Sequence, residues 1–133
     1  MKYLLDTNIC IYLMNRTRPK LAERIVLHNP EDIGISAISA SELAYGVEKS
    51  KQREKASTAL AQMLAVIQVL PFDQSAVAAY GRIRAQLESQ GNSIGPLDTL
   101  IAAHAQALRA TVVTNNTREF SRVQDLGVLD WTE

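Results

Sequence analysis

Four short apolar runs, each stopped by polar residues that favour a turn or a helix start, constrain this chain more than any other feature. Residues 2–5 end at Asp6-Thr7-Asn8, and residues 33–37 lie between Asp32 and Ser39. Residues 66–70 run into Pro71-Phe72-Asp73, and residues 111–114 into Asn115-Asn116-Thr117. Runs of this length suit buried strands, and the stretches between them carry apolar residues at helical spacing. A helix is expected over 8–15, with Ile9, Tyr12 and Leu13 inward. A second has Pro19 in its first turn and Leu21, Ile25 and Val26 on one face, stopping at His28-Asn29-Pro30. Ser39-x-x-Glu42 has the form of a capping box and predicts a helix through Leu43, Tyr45 and Val47. Another begins near Glu54 and carries Leu60, Met63, Leu64 and Ile67. Asp73 is placed to cap a helix through Val77, Tyr80, Ile83, Arg84 and Leu87 that ends near Gly91. Residues 97–109 have strong helix composition, a short helix is expected around Phe120, and 127–129 could form a last edge strand. Strands alternating with helices imply an α/β fold: a parallel sheet covered on both faces and joined by right-handed crossovers.

At 133 residues the chain fits one domain, and a domain of this size buries roughly two-thirds of its unfolded surface without covalent help. The lone Cys10 cannot form an internal disulfide, which points to a reducing compartment, the cytoplasm, and removes any cysteine-cluster metal site. Asp6, Thr7 and Asn8 interrupt the first apolar stretch, so it offers neither a secretory core nor a span of about 20 apolar residues. Fourteen basic residues balance fourteen acidic ones, so net charge alone steers nothing toward nucleic acid. The basic residues do cluster, as Arg16, Arg18, Lys20 and Arg24 and again as Lys49, Lys51, Arg53 and Lys55, although such runs are commonly solvated helix faces.

In an open α/β sheet, ligands gather beyond the carboxyl ends of the strands. Asp6 closes the first run, Glu42 sits in the first turn of the helix after the second, and Asp98 sits in the first turn of the helix before the last. Each has a structural reading as well: helix cap, capping-box partner and dipole-complementing acid. Brought together, the three carboxylates would repel one another unless a cation sat between them. Oxygen donors without supporting His or Cys suit Mg²⁺ or Mn²⁺, and phosphodiester hydrolysis is the natural reaction of such a site.

Four segments carry a resemblance. L-L-D-T-N-I (4–9), I-S-A-S-E-L-A-Y-G (38–46), I-G-P-L-D-T-L-I-A-A-H-A (94–105) and V-T-N-N-T-R-E-F (113–120) resemble, in order and spacing, the motifs of PIN-domain ribonucleases of the VapC toxin type. The resemblance implies a single PIN-like domain over 1–133, with a central parallel sheet of four to five short strands flanked by about seven helices. It implies metal-binding roles for Asp6, Glu42 and Asp98, and a supporting pocket of Thr7, Asn8, Thr114 and Asn115. The family often has a fourth acid directly after the T-N pair. This chain has Asn116 there, so that either Asn116 or Glu119 would complete the catalytic set. Also implied are Mg²⁺ as cofactor, with Mn²⁺ possible, endonucleolytic cleavage of RNA, often transfer RNA, and a VapB-like antitoxin that pushes an Arg-bearing segment into the acidic groove. A homodimer and toxin–antitoxin hetero-oligomers are expected. Arg16, Arg18, Lys49 and Lys51 are candidates to hold the RNA backbone.

His28, His104 and Cys10 read as structural residues, and Trp131 as an anchor for the last segment. A catalytically weak PIN-like binding module is the main alternative. A phosphatase using Asp6 as nucleophile lacks a second Asp where Asn8 stands and an evident downstream Lys, and no strand is followed by a nucleotide-binding glycine loop.

Overall fold

A computed structural model describes residues 1–133 throughout. In chain order the elements are β1 (Tyr3–Leu5), α1 (Thr7–Asn15), α2 (Pro19–Ile25), a 3-10 turn (Pro30–Asp32), β2 (Ile33–Ser36), α3 (Ala37–Lys49), α4 (Arg53–Leu64), β3 (Gln68–Leu70), α5 (Gln74–Ser89), α6 (Pro96–Leu108), β4 (Thr111–Val113), α7 (Thr117–Phe120) and β5 (Val128–Leu129). All five strands are parallel, in the order β3-β2-β1-β4-β5. This is the α/β architecture expected, with five strands and seven α-helices.

Register explains how three-residue strands bury two cores. Leu4 pairs with Val112 and Leu5 with Val113. Because side chains alternate across a strand, Leu4 and Val112 join α5, α6 and Phe120 on one face, while Leu5 and Val113 join α1, Leu21, Leu43 and Met63 on the other. Gly34 lies opposite Leu4 in β2, where a Cβ would sit 3.1 Å from Leu70 and 3.3 Å from the Gln68 carbonyl. The β2–β3 pairing is therefore close because that residue has no side chain.

Some local expectations were displaced. Ser36, not Ser39, caps α3: its Oγ accepts the Ile38 N–H at 3.0 Å. Ser39 is fully buried inside the helix and its hydroxyl accepts from Thr7, so there is no capping box and Glu42 belongs to the second turn. The strand hands over to the helix directly, which leaves Ser39 free for tertiary contact. Asp73 does cap α5, accepting from Ala76 N–H at 3.2 Å, but Ala76 and Ala79 face inward and Val77 is 57% exposed. Small residues permit the close α5–α6 approach that Val77 would obstruct. Val26 lies just past the end of α2 and is exposed. β3 starts at Gln68, after Val66 and Ile67 have closed the turn from α4.

Cys10 and His104 are buried, and Trp131 packs against Tyr3 and His28. His104 Nδ1 lies 2.7 Å from Ser36 Oγ, with the Pro71 carbonyl also bonding the imidazole, so α6, the α3 cap and the turn after β3 meet on one paired ring. No helix is long and apolar enough to cross a membrane.

Candidate metal-dependent nuclease site

The chain order reverses between β1 and β4: β1 is followed by β2 on one side, while β4 arrives on the other. Such a switch point opens a crevice beyond the carboxyl ends of the two strands. Asp6 and Thr114 are the first residues past those ends.

Asp6 is held from every direction. Its N–H donates to the Val113 carbonyl at 3.0 Å, fixing it to β4. One carboxylate oxygen accepts the Ile9 N–H at 2.9 Å as the α1 cap, and the other accepts a short hydrogen bond from Thr114 Oγ1. Thr114 Oγ1 in turn accepts the Asn116 N–H at 2.8 Å. Asp6 is 3% exposed, and burial pushes its carboxyl up to about 6 against the lowering effect of these bonds, with Asp98 and Asp130 adding like charge. The helix-cap reading of Asp6 therefore holds, and the same carboxylate also faces the groove.

Asp98 stands half-buried in the first turn of α6, and its carboxyl is also raised, first by burial and then by Glu119 and Glu42. Asn116 ties the next two acids together: its amide nitrogen donates to Asp98 Oδ2 at 3.3 Å and to Glu119 Oε2 at 3.1 Å. Glu42 is half-buried and makes no hydrogen bond within the protein. Asp6, Glu42 and Asp98 line one open groove of about 370 Å³, with Thr7 and Asn8 beside them. No three carboxylates stand as a closed ligand cage. An open set of oxygen donors fits a hard divalent ion that keeps several of its waters, and none of these acids is neutralised by a Lys or Arg salt bridge.

The expected supporting residues divide. Thr114 is central, Thr7 reaches Ser39 Oγ at 3.1 Å, and Asn8 lies on the groove wall. Asn115 is not among the groove-lining residues; its amide donates to Tyr12 Oη at 2.8 Å. Among the four basic candidates, Arg18 lies over the Tyr12 ring at 4.7 Å and Lys49 over the Tyr45 ring at 4.9 Å, while Arg16 ends α1 in the left-handed region and Lys51 is exposed between α3 and α4. Three contributors escaped the sequence reading. Ile11 lines the groove one turn beyond Thr7, a spacing that was legible. The 95–97 wall and Asp130, one residue past β5, depended on tertiary placement.

The PIN domain family matches residues 3–126, so the chain belongs to that family, and its relatives place it among the VapC proteins. It is 41% identical to the tRNA(fMet)-specific endonuclease VapC of Shigella flexneri, across 99% of each chain. Two solved structures are similar throughout: DNA-bound VapBC from Salmonella typhimurium (TM-score 0.94, 38% identity, 98% of each chain) and VapBC2 from Rickettsia felis on a fragment of its promoter DNA (TM-score 0.92, 39% identity, 98% of this chain and 99% of that one).

Proposed function

We propose that this protein is a Mg²⁺-dependent endoribonuclease toxin, with Mn²⁺ able to serve, that cuts RNA, transfer RNA above all, to arrest growth. Residues 1–133 act as one nuclease domain, and a VapB-like antitoxin silences it. The observation that carries this reading is the unneutralised group of Asp6, Asp98, Glu119 and Glu42 around the β1–β4 switch point. Relatives described as ribonucleases, and as an endonuclease specific for tRNA(fMet), give the substrate class.

Asp6, Asp98 and Glu42 would hold the ion, with Glu119 as the fourth carboxylate where the family often has an acid at position 116. A divalent ion supplies charge to the scissile phosphate and acidifies a bound water. The remaining work belongs to side chains. Thr114 and the Ile9 N–H fix both Asp6 oxygens, so the carboxylate is preorganised rather than recruited. Asn116, with its amide nitrogen engaged by Asp98 and Glu119, has its Oδ1 left to orient a water.

Relatives solved as VapBC complexes support an antitoxin partner and a toxin–antitoxin hetero-oligomer. The homodimer belongs to the same reading by family resemblance. An apolar groove between α2 and α4, bordered by Val26, Val66 and Arg16, suits the apolar part of such a segment, and the acidic groove suits an Arg from it. An RNA substrate and a lone reduced cysteine make the cytoplasm the working compartment.

The test is incubation of a total transfer-RNA pool with the purified protein and Mg²⁺ or Mn²⁺, beside EDTA and Asp6→Asn controls. Discrete metal-dependent fragments, absent with the variant, are expected. A folded, metal-binding protein that cuts nothing would turn the reading toward a binding module, and equal cutting by the variant would remove Asp6 from the site.

A further inference from the structure

We infer that Arg18, stacked on Tyr12, forms a fixed RNA-phosphate subsite tied through Tyr12 and Asn115 to the segment that borders the acidic site; this rests on the ribonuclease reading above. A groove of carboxylates repels a polyanion, and a chain with zero formal net charge has no global field to offset that. A local cation in a set position is needed beside it.

Arg18 is a cation held in one position, one stack and one hydrogen bond away from residues 114–116. Its guanidinium lies 4.7 Å from the Tyr12 ring centroid and makes no salt bridge, so its in-plane N–H edges are available for two-pronged phosphate contact. The ring is held by its own hydroxyl, which accepts from Asn115 Nδ2 at 2.8 Å. Asn115 lies between Thr114, which bonds Asp6, and Asn116, which bonds Asp98 and Glu119. The cation is therefore linked through one ring and one amide to the backbone segment that carries the catalytic contacts.

Its backbone is fixed from both sides as well. Arg16 adopts φ 55° with its N–H on the Leu13 carbonyl, and the Thr17 N–H donates to the Tyr12 carbonyl at 3.2 Å. Pro19 begins α2 and restricts Arg18 to an extended conformation, observed at φ −132° and ψ 86°. Little conformational freedom is left to lose on binding. Lys49 also stacks on a tyrosine, but Tyr45 is 63% exposed and neither residue is hydrogen-bonded to the β1–β4 crevice.

The experiment is single-turnover cleavage, in Mg²⁺ at several salt concentrations, of a transfer RNA that the wild-type protein cuts, giving a half-saturating protein concentration and a maximal rate. Arg18→Ala is expected to raise half-saturation about 10-fold, to leave the maximal rate within about twofold, and to lower the log–log salt slope by roughly 0.7 to 1. Arg18→Lys, which keeps charge without the flat stack, should fall between, and Tyr12→Leu should raise half-saturation in the same direction. Arg53→Ala, which removes an exposed cation already paired with Glu48, should change nothing. Unchanged half-saturation and slope for Arg18→Ala would overturn the inference alone. So would a lower maximal rate at unchanged half-saturation, or loss of antitoxin binding with RNA handling intact. A wild-type protein that neither binds nor cuts RNA would overturn this inference and the ribonuclease reading together.

Discussion

Asp6 and Glu42 face one groove, yet they are built in opposite ways. Asp6 is nearly inaccessible, bonded at both oxygens and at its N–H, and costly to ionise because it is buried. Glu42 stands half-exposed on the second turn of α3 with no protein partner. The first is a fully bonded carboxylate whose charge opposes folding of the metal-free protein. The second is a partly exposed carboxylate that no protein group holds in place. A carboxylate's worth to the site and its worth to stability should therefore part company, and most widely at Asp6.

The largest expected effect follows from that separation. Asp6→Asn should lower metal-dependent cleavage by about 100-fold or more, in the range seen when a preorganised electrostatic group is removed. Metal-free stability at pH 7.5 should nevertheless hold or rise. Moving the carboxyl from 3.8 to about 6 corresponds to roughly 3 kcal/mol of penalty on the ionised form, and losing the Thr114 bond returns about 1 kcal/mol of it. Glu42→Gln should cost about 10-fold in cleavage and move stability by less than about 0.5 kcal/mol. Denaturant melts of both variants in EDTA decide the matter. A marked destabilisation by Asp6→Asn would erase the contrast.

Proton linkage gives a second, somewhat smaller effect. Between the unfolded value and about 6, folded Asp6 binds more protons than unfolded Asp6, so metal-free stability falls as pH rises through about 4 to 6. Burial lowers His104, which works in the opposite sense below its ordinary value, so the Asp6 contribution is the difference between wild type and Asp6→Asn. That difference should grow across this window and flatten above it. Mg²⁺ affinity should rise through the same window, read as the metal-induced increase in melting temperature, and the variant should lose the increase.

The same contrast explains which features were legible in the sequence. Asp6 ends a strand and opens a helix, two local events written in adjacent residues, so its place and its capping role could both be read. The parallel sheet covered on both faces followed from short apolar runs alternating with helices, whereas the strand order β3-β2-β1-β4-β5 was set by tertiary pairing. Glu42 was placed one turn early because Ser39-x-x-Glu42 has the local form of a capping box. Ser36 holds the cap, through a hydroxyl shared with His104, 68 residues away. The helix through Val77 was legible, but helical spacing did not say which of its sides faces α6: Ala76 and Ala79 do, and Val77 is exposed. Asn115 was placed in the supporting pocket by the resemblance alone; its hydrogen bond to Tyr12, 103 residues distant, had no signal in the sequence. Local grammar fixed the elements, and contacts between distant segments decided where neighbouring side chains point.

Asn116 offers the finest probe of the contrast, because it lies between the buried Asp6–Thr114 pair and the half-buried Asp98 and Glu119 without being charged. Its amide nitrogen supplies a donor to Asp98 and to Glu119, so two like charges share a neutral bridge. Asn116→Asp removes both donors and adds a third negative charge beside a carboxyl that Glu119 and Glu42 already raise. In EDTA the variant should lose about 1 kcal/mol of stability, the scale of an ordinary hydrogen bond. Mg²⁺ should restore the loss, since an added carboxylate binds the cation better, and cleavage at saturating Mg²⁺ should stay within a few-fold of wild type. Paired thermal melts with and without Mg²⁺ measure this directly. Equal destabilisation in both conditions would mean that Asn116 is only a structural link between α6 and α7. A loss confined to EDTA would place it among the groups that tune how strongly the groove demands its ion.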